Sequence, residues 1–107
     1  MKPFLIRYKF DPASGPAEDW HRQVAAFISA LETDPELKGR INYRCMKVRD
    51  GRDYYHLAEP LDDDAPKLLQ QRDWFKRYTD ETKRAGGGTV EVLPLEVIAE
   101  TKALAPP

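Results

Sequence analysis

The stretch YYHLAEPLDDDAPKLLQQRDWFKRY, Tyr54 to Tyr78, passes from strand to helix and decides how the rest of the chain is read. Tyr54, Tyr55, His56 and Leu57 have the aromatic and branched character of a strand. Glu59-Pro60 makes a turn, and Asp62-Asp63-Asp64 opens a helix, where carboxylates meet free N–H groups and the positive end of the dipole. Pro66 suits that first turn. Leu68, Leu69, Trp74, Phe75 and Tyr78 then supply apolar positions as far as Arg84, a length that favours a kink near residues 71–73. Lys83 and Arg84 suit the C-terminal end, and Gly86-Gly87-Gly88 stops the helix.

Upstream, Phe4, Ile6, Tyr8 and Phe10 alternate with Leu5, Arg7 and Lys9, the period of a half-buried strand. Asp11 to Pro16 is turn chemistry. From Ala17 to Thr33, Trp20, Val24, Phe27, Ile28 and Leu31 form one helical face, and Asp34-Pro35 ends it. Arg40–Val48 reads as a second strand and Asp53–Glu59 as a third, joined through Asp50-Gly51, a strong hairpin signal. Thr89–Ala99 reads as a fourth strand. Pro94 within it cannot donate to a ladder, which makes this an edge or bulged strand. Residues 100–107 read as a flexible tail.

The totals set limits. A chain of 107 residues suits a single domain, residues 1–107. A net charge of −1 gives no basic excess for a nucleic-acid partner. No apolar run approaches the roughly 20 residues of a membrane span, and the start lacks a signal peptide's apolar block. Cytoplasmic location is the expectation. One cysteine, Cys45, excludes an internal disulfide and supplies no metal-ligand spacing. The glycine triplet follows a helix and enters a strand, the reverse of a phosphate loop.

The element order β-α-β-β-α-β predicts an α+β, ferredoxin-like sandwich: one antiparallel sheet, first and third strands central, both helices on one face. Strand alternation assigns Phe4, Ile6, Tyr8, Phe10, Ile41, Tyr43, Cys45, Tyr55 and Leu57 to the helix-covered face. The other face receives Leu5, Arg7, Lys9, Asn42, Arg44, Met46, Tyr54, His56 and Ala58. Such a mixed face is too apolar for water and too charged for a dry core, and it suits packing on a second copy across a partly polar cavity, hence a homodimer.

The pattern around Tyr54 to Tyr78 resembles the antibiotic-biosynthesis-monooxygenase-type domains of the dimeric α/β-barrel superfamily. The shared features are the third strand ending in Glu59, the Asp64-Ala65 step at the helix start and the aromatic pair Trp74-Phe75. The likeness in element order covers almost the whole chain. It implies oxidation of an aromatic or polyketide-like compound in a cleft between sheet and helices, with no metal or organic cofactor, the substrate carbanion itself reacting with oxygen. Many members carry a histidine about five residues after that alanine. Leu69-Gln70-Gln71 stands there instead, which disfavours haem degradation and favours the alternative of a non-catalytic, dimeric ligand-binding or accessory domain.

Within that frame His56 is the candidate general base, since imidazole titrates near neutrality. Arg7 and Arg44 are candidates to stabilise an oxyanion, with ion pairing to Glu91 or to the partner subunit as their plainer role. Tyr54, Trp74, Asn42 and Phe75 are the candidate substrate-binding residues. His21 reads as a surface or rim residue, and the three aspartates as a helix cap.

Overall fold

The computed structural model describes residues 2–102, so most of the expected tail lies outside the described residues. Strand β1, Phe4–Lys9, leads through a short 3-10 turn at Pro12–Ser14 into helix α1, Ala17–Thr33. Strands β2, Ile41–Lys47, and β3, Asp53–Pro60, form the hairpin. Helices α2, Asp64–Gln70, and α3, Asp73–Ala85, precede the short strand β4, Glu91–Pro94. The sheet has four antiparallel strands in the order β2-β3-β1-β4, with the helices on one face. This is the ferredoxin-like arrangement, and β4 is an edge.

Each boundary has a local cause. The side chain of Asp62 accepts from the amides of Asp64 and Ala65 at 3.0 and 2.9 Å and caps α2. The expected kink is a full break. Arg72 is extended (φ −81°, ψ 128°), and its guanidinium is held by Asp34 at 2.9 Å and Glu36 at 2.8 Å beyond the end of α1. That clamp re-aims α3 across α1. Strand β4 ends at Pro94 rather than Ala99, and one further backbone bond, from the amide of Leu95 to the carbonyl of Pro3, continues the pairing past it.

The core lies between sheet and helices. Trp20, Val24, Phe27 and Leu31 are buried along α1, and Phe27 stacks on Tyr78 of α3 with centroids 3.8 Å apart. Strand β3 departs from the expected faces. Cys45 pairs with His56 and Tyr43 with Ala58, while Ile6 also faces His56 and Tyr8 faces Tyr54. Tyr54, His56 and Ala58 therefore point at the helices, and Tyr55 and Leu57 lie on the outer face. Val48 and Asp53 close the hairpin around four loop residues, so odd-numbered positions of β2 oppose even-numbered ones of β3. A slip of one residue reverses every side chain of a strand.

Gly86 follows α3 with φ −88°, a value open to any residue, yet a Cβ there would meet the carbonyl of Thr89 at 2.8 Å and Cβ of Tyr8 at 3.0 Å. Both obstacles are fixed, so Gly86→Ala should cost about 1–3 kcal/mol through overpacking. Urea unfolding checks this, and an unchanged midpoint would mean that the α3–β1 junction is loose.

Candidate functional site

A cleft of about 630 Å³ opens between the sheet and helices α2 and α3. Its sheet wall includes Ile6, Tyr43, Ala58 and Val92, and its helix wall includes Leu69, Phe75 and Tyr78. The lining is mostly apolar, with Gln70, Thr79 and Lys83 among its polar members. Two phenols, Tyr43 from β2 and Tyr78 from α3, border it from opposite walls, and their hydroxyls are 3.0 Å apart.

Behind them lies His56, 0% exposed. Its Nδ1 is 2.6 Å from the Tyr43 hydroxyl and 3.1 Å from that of Tyr78. Its Nε2 is 2.7 Å from the Tyr8 hydroxyl and 3.2 Å from Sγ of Cys45. The indole N–H of Trp20 donates to the Tyr8 oxygen at 2.8 Å. Four aromatic residues from β1, α1, β2 and α3 thus converge on one imidazole, each directly or through one intermediate.

Counting hydrogens orients the network. Tyr8 already accepts from Trp20, and its own proton has one good acceptor, Nε2 of His56. That fixes the neutral ring with its proton on Nδ1, donating to the Tyr43–Tyr78 pair. One of the two phenols donates to the other. The remaining phenolic hydrogen is left to the hydroxyl of Thr82, which neighbours Tyr78, or to the cleft that all three residues line. The opposite tautomer would strand the Tyr8 hydrogen inside the core, where an unmet donor costs about 1–3 kcal/mol. The network thus ends at Tyr43 and Tyr78, the two phenols that line the cleft.

Electrostatics agree with a neutral chain. Burial pushes His56 down to about 4 and the Cys45 thiol up to about 11. Burial likewise raises Tyr8, Tyr43 and Tyr78 well above the ordinary phenol value. Cys45 is thus a protonated, inert thiol near neutral pH. Among the described residues no three His, Cys, Asp or Glu side chains gather as a metal site.

The sequence candidates are divided by the sheet. His56 adjoins the cleft from behind the tyrosines, on the face opposite to the one expected. Phe75 lines the cleft. Tyr54 is buried in the core, stacked on Tyr8 at 5.4 Å with its hydroxyl 2.8 Å from Nε2 of His21, and does not line the cleft. Trp74 faces a separate groove between α1 and α3, beside Gln23, Ala30 and Arg77. Arg7, Arg44 and Asn42 lie on the outer face. Arg7 pairs with Glu91 at 3.0 Å, while Asn42 donates to Glu59 at 3.1 Å and Arg44 stands 3.8 Å from that carboxylate. The arginines are separated from the cleft by the sheet. Tyr43 and Tyr78 are the site residues that sequence reasoning assigned only to packing. The signal for Tyr43 was available, because correct hairpin parity sets it beside His56.

No protein-family model and no curated protein sequence matches the chain. Solved structures do. SnoaB, a cofactor-independent oxygenase from Streptomyces nogalater, superposes with TM-score 0.74 at 16% identity, covering 95% of this chain and 97% of that one. The chain shares its fold with that structure. A candidate antibiotic biosynthesis monooxygenase from Caulobacter crescentus gives 0.72 at 17%, covering 92% of this chain and 90% of that one. Rv0793 from Mycobacterium tuberculosis gives 0.73 at 13%, with 94% and 98% covered. At these identities the agreement is one of backbone.

The buried imidazole gives a pH signature. Unfolding frees His56 to take a proton below about 6.5, while the folded ring resists until about 4, so the unfolded chain binds more protons between those values. The contribution is complete above pH 6.5 and is lost as pH falls through that window, by about 3 kcal/mol in all. Denaturant unfolding at a series of pH values should show this slope in the wild type and not in His56→Gln. Equal slopes would place the imidazole in contact with water.

Proposed function

We propose that this protein is a small oxygenase that acts without metal or organic cofactor on an aromatic or polyketide-like compound held in the sheet–helix cleft. The observation that carries this reading is the pair of phenolic hydroxyls of Tyr43 and Tyr78, 3.0 Å apart, bordering a mostly apolar cleft. A flat ring system satisfies the apolar walls, and an oxygen on it accepts from a phenolic hydroxyl. The fold shared with SnoaB, a cofactor-independent oxygenase, supports the reaction class.

An anthrone illustrates the chemistry. Its enol form loses the hydroxyl proton to water at the cleft mouth, and the resulting oxyanion is held by the phenolic donor, which strengthens as charge develops. The delocalised charge gives the opposite ring carbon carbanion character, and that carbon adds dioxygen to form a hydroperoxide. Loss of water leaves the quinone, so one CH2 and one O2 become one C=O and one H2O. His56 acts as a positioning residue: it fixes the direction of the phenolic hydrogens and is not itself the base toward substrate.

A homodimer across the outer sheet face belongs to the same proposal. Leu5, Leu57 and Leu93 lie there among the Arg7–Glu91 and Asn42–Glu59 pairs. Sedimentation equilibrium should find a dimer for the wild type and a monomer for Leu57→Asp. A monomeric wild type would remove the second subunit from the account.

A ligand-binding domain without turnover is the second reading, favoured by the absence of a ready base: burial holds His56 unprotonated and already hydrogen-bonded at both nitrogens. Oxygen uptake with a panel of anthrones, dihydroxynaphthalenes and quinols separates the two. Turnover by the wild type, with kcat reduced about tenfold or more in Tyr78→Phe and Tyr43→Phe, is the expected result. Arg7→Ala and Arg44→Ala should leave kcat largely unchanged. Binding without uptake across the panel would favour the second reading, and loss of turnover in Arg44→Ala would move the chemistry to the outer face.

A further inference from the structure

Among the described residues the cleft holds one charged side chain. Lys83 lines it, and no aspartate or glutamate does, although the chain as a whole carries a net charge of −1. Of the other cations on α3, Arg84 pairs with Glu81 at 2.9 Å and donates to the carbonyl of Ser14 at 2.5 Å, Lys76 stands 4.0 Å from Asp73, and Arg77, without an ion pair among the described residues, lines the separate groove between α1 and α3. Lys83 forms no ion pair among the described residues and is exposed. Its own carbonyl accepts from the amide of Gly88 at 2.8 Å, which ties the base of the side chain to the glycine turn at the cleft's edge.

Position along α3 sets the spacing of the three elements a ligand meets. Phe75, Tyr78 and Lys83 follow one another along the axis, and at about 1.5 Å per residue the first and last are separated by roughly 12 Å. That span suits a fused aromatic body beginning on Phe75, an oxygen against the phenols, and an acidic substituent at the far end.

We propose that the cleft selects aromatic compounds bearing a carboxylate, with Lys83 as the group that recognises it. This rests on the cleft being the binding site, as proposed above, and adds the class of ligand. An ammonium at a solvated rim attracts a carboxylate modestly and in a salt-dependent way. Its value to the protein is discrimination between acids and their neutral analogues.

Fluorescence titration with anthracene carboxylate and the matching anthracene carboxamide tests it, because the two probes share their shape and differ in charge. Wild-type protein should bind the carboxylate about two- to fivefold more tightly. The preference should shrink in high salt, vanish in Lys83→Gln and reverse in Lys83→Glu, with carboxamide binding the same in all three proteins. Equal affinities in the wild type, or a preference that survives Lys83→Gln, would overturn the assignment and leave the cleft intact as a binding site. Failure of both probes to bind would overturn the cleft reading together with this one.

Discussion

The enclosure of the His56 imidazole is the constraint from which the interior follows. A ring with two polar atoms, wholly removed from water, must find partners for both. Here they come from every side: Tyr8 from the neighbouring strand, Tyr43 from across the hairpin, and Tyr78 from the helix laid over the sheet. Trp20 of α1 reaches the same network through Tyr8. The stacking of Phe27 and Trp20 on Tyr78 holds that phenol in place, so helix packing and ring orientation specify one another. A sheet–helix interface that contains such a network admits few alternative alignments.

The same enclosure changes what the histidine can do. An imidazole in water is a base near neutrality, whereas this one is held neutral well below that and is hydrogen-bonded at both nitrogens. In the proposed function its influence on a ligand passes through Tyr43 and Tyr78, which line the cleft. The chemistry is then that of a fixed hydrogen-bond donor in an apolar space, an arrangement suited to stabilising charge on a substrate oxygen. The two faces of the sheet are correspondingly distinct: one buries a neutral polar network, and the other carries Arg7, Arg44 and Asn42 as neutralised pairs among leucines.

Much of the architecture is legible in local signals. Period-two alternation places β1, the spacing from Trp20 to Leu31 marks α1, Asp50-Gly51 marks the hairpin, and Pro94 marks the edge. The break at Arg72 is foreshadowed by excess helix length, but its completeness depends on Asp34 and Glu36, which lie remote in sequence. The facing of β3 is the instructive failure. Tyr54 to Leu57 is apolar or aromatic on both sides, so alternation alone cannot decide which set is buried. A titratable histidine suggests an open cavity, and only the register across the turn shows that it pairs with Cys45 and Ile6 beneath the helices. Placing His56 with Arg7 and Arg44 follows from residue chemistry. Separating them follows from hairpin geometry. Trp74 and Phe75, adjacent in sequence, face different grooves for a similar reason: neighbours on a helix diverge by about 100°.

The central claim is that His56 is a neutral, Nδ1-protonated ring whose direction is fixed by Tyr8 and Trp20 and handed on to the cleft through Tyr43 and Tyr78. Long-range 15N–1H NMR of the imidazole, followed from neutral pH down toward pH 5, reports tautomer and charge together. The account predicts one protonated and one unprotonated nitrogen throughout, the proton residing on Nδ1. A ring that charges near the ordinary value of about 6.5, or that carries its proton on Nε2, would contradict it.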